Sequence, residues 1–413
     1  MEEKVQVVII GAGPAGLTTS IFLSQQKIPH LLLERSRFPR DKICGDALSG
    51  KVVDIINKAN PDWLDEWTAD PDHFLGSYGV RFVAPNGKSI DIPFKTDLNS
   101  LRNAPGFLAK RIDFDAWLAG KLDSSTCTLI TEANVTTVDR KGDIIQISYN
   151  RNGTEVTVAA NLVVGAEGDR SLVGKSLSTI RKQNEHYCAG LRAYYEGVTG
   201  FHEKNFIELH FIKNVLPGYV WIFPLPNGGA NVGVGMLSSV ISKKKIDLKK
   251  ILHEVLHTHP VLKERFKSAQ PTDRVRGWGL PLGSKKRKIS GDNYLLTGDA
   301  AALIDPFTGE GIGNAMESGR IAANVISAAL QTNRFDADFL SQYDLAVYDK
   351  IWDELKLSHT MQKLTRYDWL FNFVVNKAAR NPLLQETITG MFENLELRSR
   401  LKRPGFYFQL LFR

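Results

Sequence analysis

Between Val5 and Glu34 the chain passes from an apolar strand into Gly11-Ala12-Gly13-Pro14-Ala15-Gly16, then a helix-patterned stretch, then a second apolar strand ending on an acidic residue. Leu17, Ile21, Phe22 and Leu23 put apolar side chains on one helical face, and His30 to Leu33 forms the second strand. A βαβ unit with this loop commits the N-terminal part of the chain to a doubly wound parallel sheet that carries a dinucleotide. Gly11 permits the tight turn, Gly13 lets the backbone approach a pyrophosphate, and Gly16 allows close helix-to-strand packing. The helix N-terminus, beside Ala15, offers N–H groups to phosphate oxygens. Glu34, with Arg35 next to it, stands where ribose hydroxyls need an acceptor.

Composition narrows the class. At 413 residues and 43% apolar the chain has enough material for more than one core, which excludes a disordered or disulfide-stapled molecule. Cys44, Cys127 and Cys188 are odd in number and far apart, so a disulfide framework is not expected and a reducing compartment is. No CxxC pair offers a metal site. The acidic start and the absence of a long apolar run predict neither signal peptide nor membrane span. The expectation is a cytoplasmic protein.

Two later strand-to-loop junctions define the cofactor. Leu162 to Val164 leads into Gly165-Ala166-Glu167-Gly168-Asp169-Arg170-Ser171, and Tyr294 to Thr297 leads into Gly298-Asp299-Ala300-Ala301. In this order the three motifs resemble those of the hydroxylase-type FAD fold over residues 4 to 345. The resemblance implies FAD, with Glu167 and Gly168 in the second dinucleotide motif and Asp299 on the ribityl chain. Glu167 stands where that family usually has Asp. Arg111 matches the family's FAD-contacting arginine by position, just before a helix that Asp113 is expected to cap. In Asp305-Pro306-Phe307-Thr308-Gly309-Glu310-Gly311-Ile312, residues Pro306, Gly309, Gly311 and Ile312 are expected to approach the flavin ring, with the following helix N-terminus facing it.

Tyr78 to Phe94 and Leu191 to Leu237 alternate apolar, β-branched and aromatic residues, as in an antiparallel sheet. Within them Tyr219, Trp221 and Phe223 share one strand face. The string Pro217-Gly218-Tyr219-Val220-Trp221-Ile222-Phe223-Pro224 is similar to the substrate-domain signature of geranylgeranyl reductases, with one residue fewer between Pro217 and Tyr219. Lys42-Ile43-Cys44-Gly45-Asp46 resembles the Lys-x-Cys-Gly segment that these reductases and the flavin halogenases place beside the flavin, which brings Cys44 and Gly45 to the ring. Tyr219 and Cys44 are the candidate proton donors, and Trp221 is the third candidate of the reacting end. On residues alone a lone cysteine is more often a buried apolar group.

Two further motifs are discounted, and two charged segments keep two readings each. His253-Glu254-Val255-Leu256-His257 satisfies the HExxH pattern, but it lies in a basic stretch and lacks a third ligand at helical spacing, so a solvated helix face is expected and no metal. Gly168 to Ser176 mimics a phosphate loop with one residue too many. Residues 240 to 290 hold 14 basic and 4 acidic side chains within a net charge of +7. That segment reads first as a solvated face. It reads second as a patch attracting diphosphates, the phosphates of NADPH or an acidic membrane surface. The aromatic and basic tail Arg403 to Arg413 is expected to pack on the body, with contact to the inner face of a membrane as the second reading.

The expected architecture is α/β with an α+β substrate part. An FAD-binding, Rossmann-like domain (1–75, 100–180, 275–335) interleaves with an antiparallel-sheet substrate domain (76–99, 181–274), and helices follow over 336–413. The leading functional expectation is a geranylgeranyl-reductase-like enzyme reducing carbon–carbon double bonds of a prenyl or other hydrophobic substrate. NAD(P)H or another transient donor would reduce the flavin, since no second dinucleotide domain is encoded. An aromatic hydroxylase ranks second, a halogenase below it, and a non-catalytic binding module third in class. Nucleic acid is not an expected partner, and oligomeric state is left open.

Overall fold

A computed structural model describes residues 3–95, 97, 101–378 and 380–381. Residues 403–413, the tail singled out above, lie outside the described residues.

The strands Tyr294–Leu296, Thr154–Gly165, Glu3–Ile10, His30–Leu33 and Cys127–Ile130 lie side by side in that order, each parallel to the next. The continuous apolar runs follow from this placement, because a parallel strand covered on both faces has no polar side to show; all four residues of His30–Leu33 are buried. The hairpin of Asn134–Lys141 and Ile144–Arg151 extends the sheet antiparallel through Thr154–Gly165. Glu3–Ile10 has its sequence successor on one side and the much later Thr154–Gly165 on the other. The strand order therefore reverses between these two, which is where a ligand crevice opens beyond the strand ends.

The helix Pro14–Gln25 packs against Ile312–Thr332. It is buried nearly all round, Thr18, Thr19 and Ser20 included, and not on the single face that the sequence pattern predicts. Being covered by the sheet and by a second helix, it has little solvent face left.

The second sheet runs Gln270–Pro271, Tyr187–Glu196, Ala230–Leu237, Gly218–Pro224, Ile207–His210, Gly79–Val83, Ser89–Pro93, with Arg276–Pro281 also on Tyr187–Glu196. It is antiparallel except where Ile207–His210 pairs parallel with Gly79–Val83, joining the two segments of the interleaved region. Because Arg276–Pro281 still belongs to this sheet, the chain returns to the first sheet later than residue 275.

Period two divides the sheet's faces. Val220, Ile222, Val232 and Val234 pack with Leu248, Leu252, Val255 and Leu256 of the helix Leu248–Thr258, while Trp221 and Phe223 point to the other side. His253 and His257 are on the exposed side of that helix, stacked on each other at 4.3 Å. The basic stretch is only partly a solvated face: Arg265 forms a bidentate pair with buried Glu208 at 2.5 and 2.9 Å. Of the turn Lys285–Lys288, Lys286 and Lys288 are exposed and Arg287 is half-buried. The helices Ala337–Leu364 and Asp368–Ala378 complete the described chain, and none of its helices is long and apolar enough to cross a membrane.

Candidate active site

The turn after Glu3–Ile10 has Gly11 at φ +97°, where an added Cβ would lie 2.6 Å from the Ala166 carbonyl oxygen. The first and second dinucleotide motifs thus touch at the strand-order reversal. A cavity of about 510 Å³ opens there, between the loops of the parallel sheet and the aromatic face of the second sheet. Gly11, Gly13, Ala15, Glu34, Arg35, Cys44, Gly45, Arg111, Glu167, Gly168, Tyr219, Trp221, Asp299, Gly309, Gly311 and Ile312 all line it.

Gly16 makes the close packing read from the sequence and, like Pro306, does not reach that surface. Gly16 packs against the preceding turn, where a Cβ would meet the Gly11 carbonyl oxygen at 1.9 Å. Pro306 is buried behind the loop and its carbonyl accepts from Gln362 Nε2 at 2.6 Å. Three roles also change. Glu167 turns to its own chain, accepting from Ser171 Oγ at 2.7 Å and the backbone N–H groups of Leu172 and Val173. Arg111 is the first residue of the helix Arg111–Ala119 and Asp113 does not cap it. Glu310 takes the Gly313 N–H at 2.6 Å, so it occupies part of the helix N-terminus expected to face the ring.

At the dinucleotide end Glu34 accepts from Ala12 N at 2.9 Å and Ser36 N at 3.0 Å. Arg40, which no sequence motif marked, donates to the Ala12 carbonyl and to Asp115, both at 2.7 Å. Asp115 is fully buried and also receives Arg111 through two bonds of 2.6 and 2.7 Å. Burial works against the Arg111 guanidinium, but Asp115 more than offsets it and keeps the charge in place. The spacing Arg111 to Asp115, one helical turn, was the available signal.

Asp299 faces the cavity and receives no side-chain hydrogen bond from the described residues, while burial pushes its pKa up. A carboxylate with free acceptors is what a chain of ribityl hydroxyls needs, and at Gly13 a built Cβ meets nothing within 4 Å, leaving open space for phosphates. These residues fit FAD.

At the other end the sheet register sets three cross-strand rows on one face: Gly190–Gly235–Tyr219, Arg192–Gly233–Trp221 and Tyr194–Asn231–Phe223. The glycines of the middle strand leave a hollow into which the Trp221 indole lies. Alternate glycines inside a strand were the overlooked signal. Trp221 Nε1 donates to Asn231 at 2.8 Å, and Asn231 in turn donates to the Cys44 carbonyl and to Asp46, both at 2.8 Å. Tyr194 OH donates to the same Asp46 oxygen at 2.7 Å. Asp46 is fully buried, and burial raises its pKa to about 6 against these two hydrogen bonds. The Cys44–Gly45 loop is thereby tied onto the aromatic face, Gly45 lying under Phe223.

Burial likewise raises the Cys44 thiol, which remains S–H at neutral pH. Lys42 sits 3.6 Å from the centroid of the Trp278 ring, and burial lowers its pKa to about 8. Tyr219 OH donates to the Thr308 carbonyl, and burial pushes its pKa above the usual tyrosine range. With their polar hydrogens committed, Tyr219 and Trp221 are placed as walls and props, which sets them apart from Cys44.

Residues 4–347 match the family described as FAD binding domain. The chain belongs to that flavoprotein family. It is an FAD-dependent oxidoreductase similar to the geranylgeranyl reductases. The digeranylgeranylglycerophospholipid reductase of Methanococcus vannielii is 30% identical, with 88% of each chain covered. A menaquinone reductase of Mycobacterium tuberculosis is 29% identical over 79% of this chain and 78% of the relative. Among solved structures, a geranylgeranyl bacteriochlorophyll reductase-like protein of Thermoplasma acidophilum superposes with a TM-score of 0.79 at 22% identity, covering 92% of this chain and 93% of the other. The flavin-dependent brominase Bmp2 shares the fold at a TM-score of 0.76 and 22% identity, covering 94% and 93%.

Proposed function

We propose that this flavoprotein reduces carbon–carbon double bonds of a prenyl-bearing hydrophobic substrate, with FAD held in the cavity described and NAD(P)H or another donor as its reductant. The observation that carries the reading is the Cys44 loop: Asn231 holds its carbonyl at 2.8 Å, and Cys44 lines the cavity beside the wall of Tyr219, Trp221 and Phe223, with its half-buried thiol raised in pKa. Bound FAD, when reduced, supplies hydride. Reduction of an alkene also needs a proton delivered to the second carbon, and Cys44 is assigned that role. Tyr219 fixes the Thr308–Gly309 loop, and Trp221 and Phe223 give the flat apolar surface on which an isoprenoid lies while water is excluded. Reductases acting on prenylated lipid and on menaquinone among the relatives support the substrate class.

The test is anaerobic. The purified protein, reduced by dithionite or NADPH, is mixed with prenyl diphosphates, digeranylgeranylglycerophospholipid or menaquinone, and flavin absorbance is followed together with product mass. Reoxidation with a gain of two hydrogens in the product is expected. No reoxidation by any of them, with oxygen-dependent product formation instead, would replace the reading by a hydroxylase.

A further inference from the structure

A second cavity of about 730 Å³ adjoins the first, and Arg170, Gly190, Leu191, Trp278 and Asp299 line both. Lys175, Arg181, Lys182 and Arg287 line the second cavity alone, so five cationic side chains surround it. Their partners are rings and carbonyls. Arg170 lies 5.3 Å from the Trp278 ring centroid and Lys182 3.6 Å from that of Tyr187. Arg181 donates to the carbonyls of Ser178 and Ile180, and Arg287 to those of Leu282 and Lys285. Among the described residues none of the five forms an ion pair with a carboxylate. Elsewhere in the molecule the arginines at 40, 81, 111, 192, 265 and 320 all do.

The two acids on this surface do not restore the balance. Asp169 is engaged by the Tyr187 hydroxyl, and Asp299 also faces the first cavity and the charge of Lys42. His186, on the same wall, has its pKa lowered by burial and then by Arg287 and Lys285. A concave surface with this much unpaired positive charge is built for a multiply charged anion. Planar guanidinium groups together with point-charge ammonium groups match phosphate oxygens in particular.

We propose that this second cavity binds the phosphate groups of a phosphorylated small molecule used in the reaction. Its occupant is either the diphosphate of a nicotinamide dinucleotide that reduces the cofactor or the diphosphate of a prenyl substrate. Only the second source rests on the double-bond reading above. Because Arg170, Trp278 and Asp299 face both spaces, a ligand anchored here is separated from the cofactor by one layer of side chains.

The experiment uses flavin-loaded protein, in which the cofactor's own diphosphate seat is filled, and titrates inorganic pyrophosphate by calorimetry. Lys175 and Lys182 are exposed, so replacing them leaves the core intact. The Lys175→Ala/Lys182→Ala double variant is expected to bind pyrophosphate at least roughly tenfold more weakly, since each charge-assisted hydrogen bond carries about that factor or more. Lys288→Ala, exposed and outside the cavity, is expected to match the wild type. Displacement of pyrophosphate by NADPH names the reductant as the source, and displacement by geranylgeranyl diphosphate names the substrate. Absence of binding, binding unchanged in the double variant, or displacement by neither ligand overturns the proposal. None of these readings requires turnover, so they stand apart from a failure of the reductase assay.

Discussion

Trp221 and Gly233 face each other across the ladder of the second sheet, and a β-carbon on the glycine would come within 2.2 Å of the indole Cζ2. The same carbon would meet the Leu191 carbonyl oxygen at 2.2 Å, so neither side can simply swing away. Gly233→Ala is expected to displace the indole and lower stability by about 1–3 kcal/mol, the usual range for overpacking. Thermal melting and indole fluorescence check this; an unchanged melting temperature with unchanged fluorescence would show that the sheet adapts freely.

Asp46 gives a pH dependence whose sign follows from its burial. In the folded chain its carboxyl titrates at about 6, and in the unfolded chain near 3.9. Between those values the folded state holds the extra proton, so stability falls as pH rises through that window, by up to about 3 kcal/mol. Asp46→Asn removes this slope and leaves acceptors for Tyr194 and Asn231. Melting curves at pH 4.5 and 7 should show the variant gaining on the wild type toward neutral pH, whereas a constant difference would refute the assignment.

Asp115 neutralises both Arg40 and Arg111 in a buried setting. Asp115→Ala leaves Arg111 without its carboxylate and Arg40 with only Glu34 at 3.4 Å, and is expected to cost about 3–5 kcal/mol. Because Arg40 also holds the Ala12 carbonyl in the glycine loop, FAD affinity should fall with it. Differential scanning calorimetry and FAD titration of the apoprotein report the two effects separately.

Cys44→Ala should leave the protein yellow and slow substrate-dependent flavin reoxidation by about a hundredfold, the lower end of what a positioned general acid contributes. The wild-type thiol, raised by burial, should also resist iodoacetamide at pH 8 until the protein is unfolded. Full reoxidation rates in the variant would assign the proton to another group.

The cofactor half of this architecture was readable because a turn of this kind tolerates few alternatives: Gly11 sits at φ +97° against the Ala166 carbonyl, and Gly13, Glu34 and Asp299 line the cavity beside it. Tyr219, Trp221 and Phe223 were readable as a face through period two. Arg40, Asn231 and the second cavity were not, because their roles arise from pairs distant along the chain, Arg40 with Asp115 and Asn231 with Cys44. The misreading at Asp113 has another cause, and Glu167 shows the same ambiguity. An acidic residue beside a helix start has several N–H groups within reach, and local sequence does not say which it takes. At Glu167 the Leu172 and Val173 amides took precedence.

The parallel pairing of Gly79–Val83 with Ile207–His210 also bears on how the chain reaches its native state. Residues 127–165 of the first sheet lie between these partners in sequence, so the second sheet cannot close in the order of synthesis. The early strand must wait with an unpaired edge until the later one emerges, a long loop to close before any contact repays it. Neither sheet's segments form a contiguous fragment to express alone, and the nascent chain is most exposed to aggregation during that interval.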